Sequence, residues 1–409
     1  MSRRAVAIVL AIAAVIAGCA LWWWNGHHQI PMAQPQVEVV GAFEAVERGA
    51  LIGTPCVTDD RVYLGAVRDT GLQPTGAVIC LDRTTLKPIW TFDDGGKMLH
   101  MFSSPVVANG RLYIGEGMHA NFECHLYCLD AATGQKHWAY SAGSHIESTP
   151  VVIGDRVIFG AGDDGVVCLN AETGSPIWKL DRPAHVDTTP IVGDGVVLAG
   201  SGISRRIPAE AAVYALNLES GRIRWRTPMD LPVWATPALS DRTLFVGLGN
   251  GRLLEGPRPP EEPAGGVVAL DIANGRERWR SRGCDAIFGQ PAVNDRFVFV
   301  GSRDGKCYAL DRSNGQQNWA VDCGSSIVAG PVWAGDTLVI ATSTARILGL
   351  DTSAGTIRWQ FDVPRQPHGD ARILAPPAVY RQGDRFLLYV STELRSSAGS
   401  AAVLYVLRP

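Results

Sequence analysis

The chain has 409 residues, with 37 Lys or Arg against 40 Asp or Glu and a formal net charge of −3. That balance offers no basic field for a nucleic-acid partner, and 46% apolar with 19% charged residues exclude a disordered chain. Forty-five Gly and 25 Pro, spread along the whole length, point to many turns and argue against long helices.

At the N-terminus Arg3-Arg4 precede an uncharged run from Ala5 to Trp24. Residues 5–24 are long enough to cross a bilayer as one helix. The arginines would then stay cytoplasmic and Trp22-Trp23-Trp24 would sit at the far interface. A second reading competes: Ile16-Ala17-Gly18-Cys19 resembles a bacterial lipobox, in which Cys19 is lipidated and becomes the new N-terminus. Both readings tether the protein to the cell membrane and place the remainder outside the cytoplasm, facing the periplasm or the exterior. Residues 25–36 are a polar, Pro-containing tether. The expected partition is residues 1–24 as membrane anchor or signal segment, 25–36 as tether and 37–409 as one folded domain.

That domain is written in repeats. Trp90, Trp138, Trp178, Trp225, Trp279, Trp319 and Trp359 each follow a Leu-Asp or Leu-Asn pair, as in Leu129-Asp130 and Leu169-Asn170. Six of the seven carry a Gly four residues before the Trp; the first has Leu86 there. An Asp or Asn side chain that bonds backbone amides starts a turn. Gly supplies positive φ where the next strand begins, and the large Trp suits a joint between neighbouring units. A second landmark occurs eight times: a Pro, an apolar pair, a polar turn and a β-branched or aromatic run. The prolines are Pro55, Pro105, Pro150, Pro190, Pro237, Pro291, Pro331 and Pro377. Their mean spacing of about 46 residues falls in the range of propeller blades.

Each unit therefore reads as four antiparallel strands. Eight first strands with seven Trp strands leave one blade a strand short. The segment from Val37 to Val46 is expected to supply the missing strand and close the ring, which removes the exposed sheet edges. The pattern A-L-D-x-x-(T/N)-G-x-x-x-W, seen at Leu129–Trp138 and Leu270–Trp279, resembles the repeat of the pyrroloquinoline-quinone (PQQ) family of eight-bladed β-propellers. The resemblance implies an all-β propeller over residues 37–409. The family includes quinone-dependent alcohol dehydrogenases, and also non-enzymatic members such as the propeller lipoprotein of the outer-membrane protein assembly machine. Its dehydrogenases hold the quinone beneath a disulfide of adjacent cysteines, beside calcium. This sequence has no Cys-Cys pair and no matched metal ligands or catalytic Asp, so the resemblance carries no PQQ site and no catalytic residue here.

The nine cysteines are an odd count. Cys80, Cys128 and Cys168 share a repeat position with Ala215, Ala269, Ala309 and Gly349, which marks a tight buried site. A disulfide between Cys284 and Cys323 stays open, and no CxxC pair suggests structural zinc.

Five residues before three successive prolines stand His100, His145 and His185, and two residues on come Phe102, Glu147 and Asp187. Equivalent residues of neighbouring inner strands lie side by side. His145 and Glu147 share one side of their strand, as do His185 and Asp187. Such a set suits zinc or another first-row divalent metal, an anion or acid–base work; the competing reading is that repeat duplication copied a histidine that bonds backbone. The loops between second and third strands are long in four units, starting at Val67, Glu116, Ser201 and Leu248, and all emerge at the same end as the histidines. That end carries the candidate ligand-binding residues His119, His125, Arg205, Arg206, Asn250 and Arg252. Large loops on one end of a rigid scaffold point to binding of a protein or small ligand. A non-catalytic binding protein is thus the first expectation, and a metal-dependent or quinone-type enzyme using the His/carboxylate cluster the alternative.

Overall fold

The computed structural model describes residues 37–45, 49–69, 74–119, 121–182, 184–204, 206–251, 264–364, 370–396 and 399–409. These form eight antiparallel sheets arranged as the blades of a β-propeller; blades 1 to 7 run in sequence order, blade 8 takes its outer strand from Glu38–Glu44, and the first and last hold short extra strands. Blade 3 is representative, with strands Val151–Ile153, Arg156–Gly160, Val166–Asn170 and Pro176–Lys179. No helix occurs among the described residues; Ala5–Trp24 and Cys19 lie outside them.

The ring closes as expected. Strand Glu38–Glu44 pairs antiparallel with Gly399–Arg408 and is the outermost strand of blade 8. An Arg408–Glu38 ion pair at 2.8 Å clasps the joint. Across the seam, the Tyr380 hydroxyl of blade 8 donates to Asp59 of blade 1 at 3.0 Å, and the Arg83 guanidinium lies 4.3 Å from the Tyr380 ring centre. Blade 8 departs from the repeat in a way its sequence did not signal. Its second and third strands, Arg385–Ser396 and Gly399–Arg408, run to 12 and 10 residues and hold an extra strand, Asp370–Arg372.

Apolar burial sits between blades rather than within them. Each core cluster draws on two neighbours: Tyr113, Cys128 and Phe159 join blades 2 and 3, and Leu64, Leu81, Tyr389 and Leu404 join blades 1 and 8. One sheet alone would leave both faces wet, so the repeat is stable only as a closed set.

The Trp motif is the joint. The indole N–H of Trp90, Trp138, Trp178, Trp225, Trp279 and Trp319 donates to a carbonyl in the next blade, at the residue after the turn Asp or Asn; Trp225 reaches Ile272 at 2.8 Å and Trp178 reaches Leu218 at 2.8 Å. The Gly of the next blade's turn lies flat on that ring. At Gly275, with φ +70°, an added Cβ would stand 2.4 Å from the Trp225 ring. Within its own sheet each Trp faces the small residue of the tight site: Cys80, Cys128, Cys168, Ala215, Ala269, Ala309 or Gly349.

This register explains the exception at Leu86. The closing strand has Gly41 where the other blades have Trp, paired with Val406 after the same bulge. Leu86 of blade 1 stands where the other turns have Gly, and its Cδ1 comes within 2.9 Å of a Cβ built on Gly41. Large and small have exchanged places across the seam.

All eight described cysteines are free thiols, so Cys284 and Cys323 form no disulfide. Both sit in separate interblade cores, one between blades 5 and 6 and the other between 6 and 7.

Candidate functional site at the long-loop end

The segments leading into the inner strands of blades 2, 3 and 4 carry a hydroxyl pair before the Pro. Buried Ser103, Ser148 and Thr188 bond the backbone at 2.8–2.9 Å, as in Thr188 Oγ1 to the Gly200 carbonyl. Thr149 N–H donates to Thr189 Oγ1 of the next blade at 2.9 Å. This belt fixes the spacing of neighbouring inner strands, and therefore of the side chains just upstream.

Those side chains converge. Nε2 of His145, in blade 3, lies 2.9 Å from Asp187 Oδ1 of blade 4. Nε2 of His185 is 2.9 Å from Asp187 Oδ2, and its Nδ1 is 2.6 Å from Asp163 Oδ1. His119, from the long loop of blade 2, completes the group. Its Nδ1 is 2.7 Å from Glu147 Oε1, its backbone N–H donates to the same oxygen at 3.0 Å, and its Nε2 is 3.5 Å from Asp187 Oδ2. The His119 and His145 rings stack with centres 4.8 Å apart. His145, His185 and Asp187 are buried to within a few per cent, whereas the His119 side chain is half exposed.

Burial alone would raise the Asp187 carboxyl, but the His145 and His185 rings against it hold it below the usual carboxylate range. Burial likewise opposes charge on His185, and contact with Asp187 and Asp163 outweighs it, raising its pKa to about 9. Glu147 raises His119 through their hydrogen bond.

His100 does not take part. Its carbonyl accepts the Gly117 N–H at 2.8 Å, just as the His185 carbonyl accepts from Gly202, but its ring is not among the converging groups, and its Nδ1 is buried without a hydrogen-bond partner. The place beside His145 is filled by His119 instead, pinned by Glu147. The backbone repeat made His100 the natural candidate; a loop residue displaced it.

Trp234 was missed altogether. It stands three residues before Pro237, the repeat position of Glu147 and Asp187, so the same count would have found it. Its ring stacks on His119 with centres 5.7 Å apart and meets His185 edge-on at 6.0 Å.

Of the other loop candidates, Arg206 bridges two long loops. Its guanidinium donates to the His119 carbonyl at 3.1 Å and stands 4.1 Å from the Phe122 ring centre. His125 is drawn to Glu116, a buried carboxylate that also accepts the backbone N–H groups of His125 and Leu99. Asn250 accepts from the fully buried Arg303, whose guanidinium forks onto both oxygens of Asp285 at 2.7 and 2.8 Å. These last two are internal contacts. Arg205 and Arg252 lie outside the described residues. Phe122 and Ile203, on the loops that Arg206 joins, are 55% and 58% exposed.

Fold and repeat together define an eight-bladed propeller of the PQQ-like class. Within that class the chain belongs to the family described as outer membrane protein assembly factor BamB, whose model matches residues 104–232 and 263–400. No curated protein matches the chain. Among solved structures, BamB from Moraxella catarrhalis aligns with a TM-score of 0.64 at 16% identity, over 90% of this chain and all of that one. Quinohemoprotein alcohol dehydrogenase from Comamonas testosteroni aligns at 0.70 and 15% identity, over 93% of this chain and 78% of that one. The computationally designed Ika8 protein aligns at 0.63 and 15%, over 88% and 97%. At such identities these likenesses establish the fold alone.

Proposed function

We propose that this protein is a non-catalytic scaffold of the bacterial envelope, held at the membrane through residues 5–24 with residues 37–409 facing the periplasm, and that it binds a protein partner through its long-loop end. The family match carries this reading. It is supported by the asymmetry of the propeller. One end has tight turns such as Ala108–Arg111, whereas the other presents Phe122 and Ile203 on loops locked together by Arg206. Exposed apolar side chains set among polar ones on a rigid frame are the ordinary make-up of a docking surface.

The quinone of the dehydrogenase branch does not fit these residues. The chain has no adjacent cysteines, all described thiols are free, and the convergent groups are imidazoles around one carboxylate.

The test is co-purification of full-length protein from detergent-solubilised envelope. Phe122→Asp and Ile203→Asp should each deplete the co-purifying protein. Ile153→Asp, at the tight-turn end and 39% exposed, should not. Equal recovery from all three variants, or loss from Ile153→Asp alone, would overturn the reading.

A further inference from the structure

His119, His145, His185 and Asp187 bring four ligand atoms of metal-binding type together at one point. All three imidazoles turn Nε2 toward one carboxylate, that of Asp187. Two of them have Nδ1 against an outer carboxylate: His119 against Glu147 at 2.7 Å and His185 against Asp163 at 2.6 Å. Nδ1 of His145 lies 3.3 Å from Ser144 Oγ.

An outer carboxylate fixes the proton of a neutral imidazole on Nδ1 and leaves the Nε2 lone pair facing inward. In that tautomer the lone pairs of His185 and His119 point at the buried oxygens of Asp187, so a cation can take the place of the proton that a charged ring shares with the carboxylate. Asp187 Oδ2 makes no well-aligned hydrogen bond, although His185 Nε2 is only 2.9 Å away. Three carboxylates, Asp187, Glu147 and Asp163, meet here, and their ion pairs among the described residues are with histidine alone.

We propose that this cluster is a binding site for a first-row divalent cation, zinc above all, held by Nε2 of His119, His145 and His185 and by the Asp187 carboxylate. Three nitrogens and one oxygen match the donor preference of such ions. The four ligand atoms lie within 4.8 Å of one another. A tetrahedral ion with bonds of about 2.0–2.1 Å wants separations of about 3.3 Å. Closing that gap takes inward shifts on the order of 1 Å, the largest at His119, whose Nε2 is 3.5 Å from Asp187 against 2.9 Å for the other two. Glu147, Asp163 and Ser144 orient the three rings from outside, and Trp234 stacks on His119 and covers it.

The ligands come from three consecutive blades. The ion would therefore fasten the long loop of blade 2, with Phe122, to the innermost segments of blades 3 and 4. This goes beyond the scaffold reading and does not depend on it, since a partner can bind a loop that is ordered without metal.

Cobalt(II) serves as the probe, added to the metal-stripped full-length protein in detergent and followed by its visible ligand-field absorption. The expected result is one equivalent bound per chain, with the intense spectrum of a tetrahedral site, bleached by one equivalent of zinc. His145→Ala and Asp187→Asn should remove the spectrum, and His100→Ala and His125→Ala should leave it intact. Glu147→Gln removes no ligand and should weaken cobalt affinity about 10–100-fold, with a far-ultraviolet circular dichroism spectrum unchanged from wild type. That variant keeps the test decisive if the buried substitutions unfold the protein. The absence of a stoichiometric tetrahedral spectrum, or a cobalt affinity unaltered by Glu147→Gln, would overturn the proposal.

Discussion

Replacing Gly275 by Ala tests the joint between blades 4 and 5 with a single methyl group. Two costs arise there. Gly275 has φ +70°, and placing an L residue in the left-handed region costs about 1–2 kcal/mol. The new Cβ would also stand 2.4 Å from the Trp225 ring and 2.5 Å from Thr227 Oγ1. Trp225 must then move, endangering its 2.8 Å bond to the Ile272 carbonyl, which contributes about 1 kcal/mol, together with the packing around it. The expected loss is about 3 kcal/mol or more, toward the severe end for a point substitution. Gly110→Ala is the matched control. Its φ is +74° but nothing lies within 4 Å of an added Cβ, so only the backbone term of about 1–2 kcal/mol applies. Denaturant midpoints followed by circular dichroism would measure both, with Gly275→Ala repeated in a Trp225→Ala background. There the extra loss should vanish. Equal destabilisation by Gly275→Ala and Gly110→Ala would refute the argument that the repeat glycine is required by the neighbouring blade's Trp.

Removing residues 37–48 takes the outer strand from blade 8 and strips Val40 and Phe43 from the core between blades 8 and 1. The shortened protein should melt well below the full domain or self-associate through the bare edge of Gly399–Arg408, and an unchanged melting temperature and monomeric state would count against closure. The turn carboxylates predict an acid limb. Asp82 and Asp130 titrate below the ordinary aspartate range because Thr85 and Thr133 hydrogen bond to them, and Asp311 does so through Ser313. Carboxyls with depressed folded-state values contribute stability that is complete above about pH 4 and lost as pH falls through those values. Asn170 and Asn217 already hold the same turn without a charge. Changing Asp82, Asp130 and Asp311 together to Asn should therefore flatten the acid limb of a melting-temperature profile, and an identical limb would refute the assignment.

The propeller was legible because its signal recurs. One Leu-Asp turn or one Trp is weak evidence, but seven in register with eight Pro strands leave little choice of architecture and even expose the missing strand. The reading failed where the fold depends on a partner residue far away in sequence. Leu86 departs from the glycine of the other turns because Gly41, some 45 residues away in sequence, stands opposite it in place of a Trp. Half of the histidine site was legible for the same reason as the blades: His145, His185, Glu147 and Asp187 sit at fixed repeat positions. His119 was legible only as a residue of the right face, because where a side chain in a long loop comes to rest is set by Glu147 and Arg206 rather than by any period. Trp234 stands at the same count from its Pro, but its indole carries none of the ligand or acid–base chemistry that marks the other positions.

The claim that the long-loop end is the working face is tested most directly by photo-crosslinking in intact cells, with a photoreactive amino acid at Phe122, at Ile203 or at Ile153 of the full-length protein. The account predicts one discrete protein adduct from Phe122 and Ile203 and none from Ile153. A discrete adduct from Ile153, with none from the two loop positions, would contradict it.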